Sequence, residues 1–351
     1  MGRSGPGRII AIVVSLVITA AVSGLLYYWF KEAAFLGADS MTTWEPASDN
    51  AQQIHDVYVF IFWLAGAVFV GVMFLVLLFS LMFKEQEGVE AVQTHGNSRL
   101  EILWTFIPVI IVVAMAVPTF DAIVAYEGDP PADQDVLEVI AVGHQWWFEF
   151  RYPELGITTA TDMYVPVDRP VHVTLYANDV IHSFWVPRLM GKKDMMPSRE
   201  NNLWFTPNAP GVYLGQCAEF CGLSHAQMRF RVIVEEQAGF DAWVANAQQP
   251  TAPTDELDGL VAEGAQLFLQ AGCVGCHVID GYPGAVGRVG PNLTLVGSRT
   301  TLAGGWLENN PEELASWLRN PPAVKPGSLM PDLDLSDDQI DRLVAYLQTL
   351  Q

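Results

Sequence analysis

Cys217-Ala-Glu-Phe-Cys221-Gly-Leu-Ser-His225-Ala-Gln-Met228 gathers two thiols, an imidazole, a thioether and a carboxylate into twelve residues. Soft sulfur with imidazole is the donor set that holds copper in redox-active sites. Two thiols four apart in a loop can both be shared between two metal ions, which spreads the charge and suits rapid electron transfer. The remaining positions need imidazoles. The nearest candidates are His225 and His182, the latter in Val180-Ile-His-Ser-Phe-Trp-Val-Pro187, and Met228 offers a weak axial sulfur. A disulfide and a zinc site are competing readings of Cys217 and Cys221. Neither requires Glu219 between the thiols or the His and Met that trail them.

On both sides of this loop the sequence reads as β structure. The runs 136–142, 171–177 and 230–234 are short and β-branched, separated by Pro, Gly and Asp turns, which is the spacing of an antiparallel sandwich or barrel over residues 134–236. Residues 247–254, Ala-Gln-Gln-Pro-Thr-Ala-Pro-Thr, read as a linker. Beyond it the periodicity turns helical at 257–271, at 311–318 with Pro and acids in the first turn, and at 336–347 behind a Ser cap. Residues 255–351 are therefore a small helical domain.

That domain carries Cys273-Val-Gly-Cys276-His277, the spacing that attaches a c-type haem through two thioethers and one axial imidazole. All four cysteines of the chain are then in use. The sixth iron ligand needs a sulfur or an imidazole, and after His277 the sequence offers no further His and a single Met, Met330 in Gly327-Ser-Leu-Met-Pro331.

The 351 residues are 51% hydrophobic, with 18 Lys+Arg against 39 Asp+Glu for a formal charge of −21. This acidity argues against nucleic acid as a partner and favours a basic protein partner steered by charge. Residues 9–30, 56–83 and 101–126 are apolar runs near or above the roughly 20 residues of a membrane helix. The first follows Arg3 and Arg8 and ends in Tyr27-Tyr28-Trp29-Phe30, so segment 1–30 reads either as a signal peptide or as a retained anchor. The other two form a transmembrane hairpin over 50–127. Its short loop carries Lys84, His95 and Arg99 beside Glu85, Glu87 and Glu90, which places the loop in the cytoplasm and everything after Tyr126 on the outer side. Glu101 begins the third run, either as a solvated helix start or as part of a proton route.

His182, Cys217, Glu219, Cys221, His225 and Met228, the run Gly143-His-Gln-Trp-Trp-Phe148 and the preceding hairpin resemble subunit II of the haem-copper cytochrome c oxidases over residues 50–236. The resemblance implies a cupredoxin-like barrel with a dinuclear copper centre. Cys217 and Cys221 would bridge, His182 and His225 would be terminal, Met228 would be a weak ligand, and the Glu219 backbone carbonyl would ligate. It also implies that the Glu219 carboxylate helps bind magnesium at the contact with subunit I, that Trp146 lies at the electron-input surface near copper, and that Glu101, three before Trp104, stands at the mouth of a proton-uptake path. Gly290-Pro-Asn-Leu293 resembles the class I cytochrome c loop whose proline carbonyl orients the proximal histidine.

The expected architecture is a membrane α-helical hairpin, an all-β cupredoxin-like barrel and a small all-α class I cytochrome c domain. A subunit II fused to a C-terminal cytochrome c resembles the caa-type oxidases. It implies electrons taken up at haem c from a cytochrome c or a copper protein, passed to dinuclear copper and on to subunit I, in a bacterial cell membrane. Two other readings stand beside it: the copper-bearing subunit of a membrane nitric oxide reductase, and a copper-delivery or sensing cupredoxin protein, against which the fused haem motif argues.

Overall fold

The computed structural model describes residues 5–33, 41–83, 88, 95–128, 130, 133–249 and 257–351. The expected charge pattern of the cytoplasmic loop falls mostly on Lys84, Glu85, Glu87 and Glu90, which lie outside the described residues, as do residues 250–254 of the expected linker.

Three helices, α1 (Gly5–Ala33), α2 (Asp49–Met82) and α3 (Ser98–Tyr126), are long and apolar enough to cross a membrane, with windows of mean hydropathy 2.7, 2.7 and 2.4. At about 1.5 Å per residue each exceeds the roughly 30 Å hydrocarbon thickness. The first apolar run thus forms a third helix alongside the expected pair. On α1 the small residues Ala11, Ser15 and Thr19, spaced four apart, are its inward stripe, and Tyr27 meets Trp63 of α2 at 6.4 Å between ring centroids. Asn97 starts α3: its Oδ1 accepts from Arg99 N–H at 3.2 Å and Leu100 N–H at 3.3 Å.

The β region holds ten strands: β1 (Leu137–His144), β2 (Trp147–Tyr152), β3 (Ile157–Ala160), β4 (Asp162–Pro166), β5 (Val171–Ala177), β6 (His182–Trp185), β7 (Lys193–Met195), β8 (Asn201–Phe205), β9 (Gly211–Cys217) and β10 (Arg229–Glu235). They form two five-stranded sheets, ordered β3-β2-β1-β5-β8 and β4-β10-β9-β6-β7. Two pairings, β1 with β5 and β4 with β10, are parallel, which corrects the all-antiparallel expectation. The alternation of apolar and polar residues reports which face is buried and carries no strand direction. Between the sheets, Phe148, Phe184 and Phe230 interlock, with Phe230 4.5 Å from Phe148 and 4.6 Å from Phe184 between ring centroids.

Helix α4 (Gln237–Ala247) follows directly, its Trp243 stacked on Tyr164 at 4.7 Å. Ala247 therefore closes a helix rather than opening a linker. The aromatic contact supplies the stability that α4's mixed sequence lacks.

The helical region contains α5 (Gly259–Gln270), α6 (Pro311–Arg319), α7 (Pro321–Val324) and α8 (Asp337–Leu347), with a two-stranded ribbon of β11 (Thr301–Leu302) and β12 (Leu307–Glu308). Gly264 lets α5 approach α8 so closely that a Cβ there would strike the Arg342 carbonyl. The starts of α6 and α8 are capped as the sequence suggests. Asn310 accepts from Glu313 N–H at 2.9 Å, and Ser336 with Gln339 forms a reciprocal capping box.

Candidate metal and haem centres

The end of β9, the loop after it and the start of β6 bring the sulfur and imidazole donors together. Cys217 Sγ lies 3.7 Å from Cys221 Sγ and 3.8 Å from His182 Nδ1. Cys221 Sγ lies 3.5 Å from His225 Nδ1 and 3.8 Å from Met228 Sδ. The Glu219 carbonyl accepts from the Cys217 thiol at 3.2 Å. His182, Cys217 and Cys221, all buried, present their donor atoms within 4.8 Å of one another, a spacing that a metal ion can span. His182, 35 residues before Cys217, joins the cluster because β6 pairs with β9, aligning Phe184 with Cys217.

A second layer fixes the first. His182 Nε2 donates to Asp179 Oδ1 at 2.7 Å, which leaves Nδ1 as the free donor facing the sulfurs. Gly143 makes room for that ring: a Cβ there would lie 2.8 Å from His182 Cδ2. The Cys221 carbonyl accepts from Gln145 Nε2 at 2.7 Å and from Trp146 Nε1 at 3.0 Å. The cysteines are free. Hydrogen bonding from Cys221 and His182 holds the Cys217 thiol far below the usual thiol range, whereas Cys221, beside that sulfur and buried, is pushed far up. Two sulfurs this close ionise together only around a cation, so the donor chemistry fits copper.

The helical region has an open cleft of about 1120 Å³, counted with its mouth, lined by Cys276, His277, Arg299 and Met330. His277 Nδ1 donates to the Pro291 carbonyl at 2.8 Å, so Nε2 is the nitrogen left for a metal. Gly290 permits this, since a Cβ there would sit 2.5 Å from His277 Cε1. Arg299 is buried, and its Nε has no hydrogen-bond partner among the described residues, which suits an acidic group on the cleft's ligand. The Cys276 thiol, an oriented imidazole, a thioether and a buried cation around one cleft, with Cys273 one turn before, fit a c-type haem.

The cleft is also walled by Gln145, Trp146 and Trp147 of the β region. Trp146, expected at an electron-input surface, is only 8% exposed and lies between the cleft and the thiol loop. A docked helical region covers it. Glu219 is half-buried and Glu101 is exposed in the first turn of α3. Sequence reasoning missed Asp179, three residues before His182, and also Asp162 and Lys325, whose partners lie far away along the chain.

Donor sets of this kind belong to electron carriers, and three helices here are long and apolar enough to cross a membrane. Family profiles described as cytochrome C oxidase subunit II, transmembrane domain and periplasmic domain match residues 39–122 and 156–236, and one for cytochrome c matches 261–351. Cytochrome c oxidase subunit 2 of Alkalihalophilus pseudofirmus is 37% identical over 329 residues, covering 90% of this chain and 92% of that one. Subunit 2 of a Bacillus species is 39% identical over 288 residues, 77% and 80% of the two chains. That of Bacillus subtilis is 32% identical, covering 90% and 93%. The chain belongs to the cytochrome c oxidase subunit II family, with a fused cytochrome c domain. It is a subunit of an oxidoreductase complex, has copper and haem as its implied cofactors and subunit I as its implied partner, and associates with a membrane through a subunit II transmembrane domain.

Proposed function

We propose that the chain is subunit II of a caa-type oxidase, taking electrons at a covalent haem c and delivering them through dinuclear copper to subunit I, where oxygen is reduced with proton translocation. The observation that carries this reading is Trp146, which donates to the Cys221 carbonyl at 3.0 Å and also lines the haem cleft. When bound, the copper pair and the haem iron each supply a one-electron couple. Cys217 and Cys221 would bridge the coppers, with His182, His225, Met228 and the Glu219 carbonyl completing their shell. Cys273 and Cys276 would hold the haem, and His277 and Met330 its iron. Arg299 would face an acidic substituent of the macrocycle.

The Glu219 carboxylate would supply one ligand to magnesium at the subunit I contact, an ion that keeps several waters and needs few protein ligands. Glu101 would receive protons at the cytoplasmic end of α3, with both redox regions on the outer side. The donor would be a cytochrome c or a copper protein. A basic one would be favoured, because residues 257–351 hold 11 Asp+Glu against 5 Lys+Arg.

Electron paramagnetic resonance of the assembled oxidase tests the copper reading. The wild type is expected to show hyperfine coupling to two equivalent coppers, and Cys217→Ser or Cys221→Ser to abolish it. Survival of that pattern in either variant would exclude a thiolate-bridged pair.

A further inference from the structure

Lys325 is a buried cation that the proposed electron path does not use, and it sits at the seam between the β and helical regions. Only 3% exposed, its Nζ donates to the carbonyls of Trp146 at 2.6 Å, Gln227 at 3.0 Å and Ala303 at 2.6 Å. Two of these acceptors belong to the β region and one to the helical region. An ammonium has three protons and no acceptor, so this arrangement satisfies it completely. Burial pushes the amine down to about 7, so placing a lysine here is costly unless its partners are held in place.

The other contacts across the seam are of ordinary kinds. Asp162, fully buried, accepts from Thr300 N–H at 3.0 Å and from Thr300 Oγ1 at 3.1 Å. Arg229 N–H donates to the Gly304 carbonyl at 2.9 Å, and Ser224 Oγ to the Pro326 carbonyl at 2.6 Å. Close approach is built in at Gly327 (φ +83°), where a Cβ would lie 2.6 Å from Trp146 Cη2. The chain thus removes side-chain bulk where the helical region meets Trp146, and two residues earlier it places a cation on the Trp146 carbonyl.

We infer that Lys325 is the positioning residue that docks the haem-bearing region onto Trp146, and that it thereby sets the rate of internal electron delivery to the thiol cluster. This rests on the function proposed above. One electron leaves the haem and one reduces the copper pair, with no bond made or broken, so the rate depends on how the two regions are held. Without Lys325 the buried Trp146 carbonyl and the half-buried Gln227 and Ala303 carbonyls lose their donor. Among the described residues the seam then keeps only the Asp162–Thr300, Arg229–Gly304 and Ser224–Pro326 hydrogen bonds, which leave the side facing the Trp146 carbonyl without a donor. Since an electron passes at a rate set by the separation and contact of its two centres, loss of the pin slows delivery without stopping it.

The test uses the assembled oxidase carrying Lys325→Met, which keeps the length and removes the charge, and Lys325→Gln, which keeps a donor. Photochemical injection of one electron into the haem reports the internal transfer, and hydrogen exchange reports the Arg229 and Thr300 amides that donate across the seam. The wild type should transfer at a rate independent of salt. Lys325→Met should be several-fold slower and become salt-dependent, and the two amides should lose protection. Lys325→Gln should fall between, and it carries the test alone where Lys325→Met does not assemble. The haem spectrum and copper resonance should be unchanged in both. Wild-type rates in both variants overturn the inference, and so does slowing accompanied by a changed haem or copper signature. Absence of internal transfer in the unmodified oxidase overturns the proposed function itself.

Discussion

The thiol cluster and the haem cleft both collect sulfur and imidazole donors, but they are preorganised to different degrees. In the cluster, Cys217, Cys221 and Met228 are buried, neighbouring donors stand 3.5–3.8 Å apart, and Asp179, Gln145 and Trp146 fix their surroundings from outside. In the cleft, Cys276 is exposed, His277 and Met330 are half-buried, and the space they line is open to solvent. The β sandwich completes its own core and so presents a nearly finished metal site. The helical region has a core of its own around Phe268, Leu343 and Tyr346, but its donors line an open cleft beside that core rather than a closed site within it.

The largest effect should come from separating those two cases. Cys273→Ala with Cys276→Ala, which denies the haem its attachment, should strip hydrogen-exchange protection from most of residues 257–351. Chelating the copper should leave protection across residues 134–249 nearly intact. A β region that melts on copper removal would break the comparison, because the cluster would then need its metal to form.

Within the haem site, Met330→Ala should remove the weak sulfur-to-iron absorption band and lower the haem potential, since axial ligands set such potentials over a span of about 0.8 V. Copper content should stay the same. An unchanged spectrum would mean that some other group holds the sixth position. Within the copper site, Asp179→Ala removes the carboxylate that orients His182 Nε2 at 2.7 Å. Loss of such an outer partner typically weakens metal binding by about 10- to 100-fold. Competition with a copper chelator should show that loss while the haem spectrum is unchanged. Equal affinity would mean that Gly143 and the strand pairing alone hold the ring.

The donors themselves were legible in the sequence, because soft ligands at fixed spacing are local: Cys217 to Met228 spans one loop and Cys273 to His277 one turn. Elimination brought in Met330, and the resemblance strengthened His182. The helices at 259–270, 311–319 and 337–347 fell within two residues of their periodic patterns. What stayed hidden is non-local. The parallel pairings of β1 with β5 and β4 with β10 depend on which strands cross between sheets. The pairing of Asp162 with Thr300 spans 138 residues and that of Lys325 with Trp146 spans 179, and no periodicity links such positions. Trp146 is instructive, since its identity marked it for electron transfer while its burial under the helical region could be known only from the fold. For Glu101, the sequence left a solvated helix start and a proton route open, and its exposed first-turn position on α3 is compatible with either.

The smallest effect concerns how each region is held together away from its metal. Ser336 accepts from Gln339 N–H at 3.3 Å while Gln339 Oε1 accepts from Ser336 N–H at 2.9 Å, closing the start of α8. That helix buries Ile340, Leu343, Tyr346 and Leu347. Ser336→Ala removes half of the box and should cost about 1 kcal/mol. For a region of this size that is roughly 4–8 °C in the temperature at which the helical region melts, followed by loss of the haem's Met-ligated band. The copper resonance should persist through that transition, because the sandwich has its own core of Phe148, Phe184 and Phe230. If the two signals vanish together, the seam makes the two regions a single cooperative unit, and the preorganisation of the thiol cluster is then in part lent by the helical region docked over Trp146.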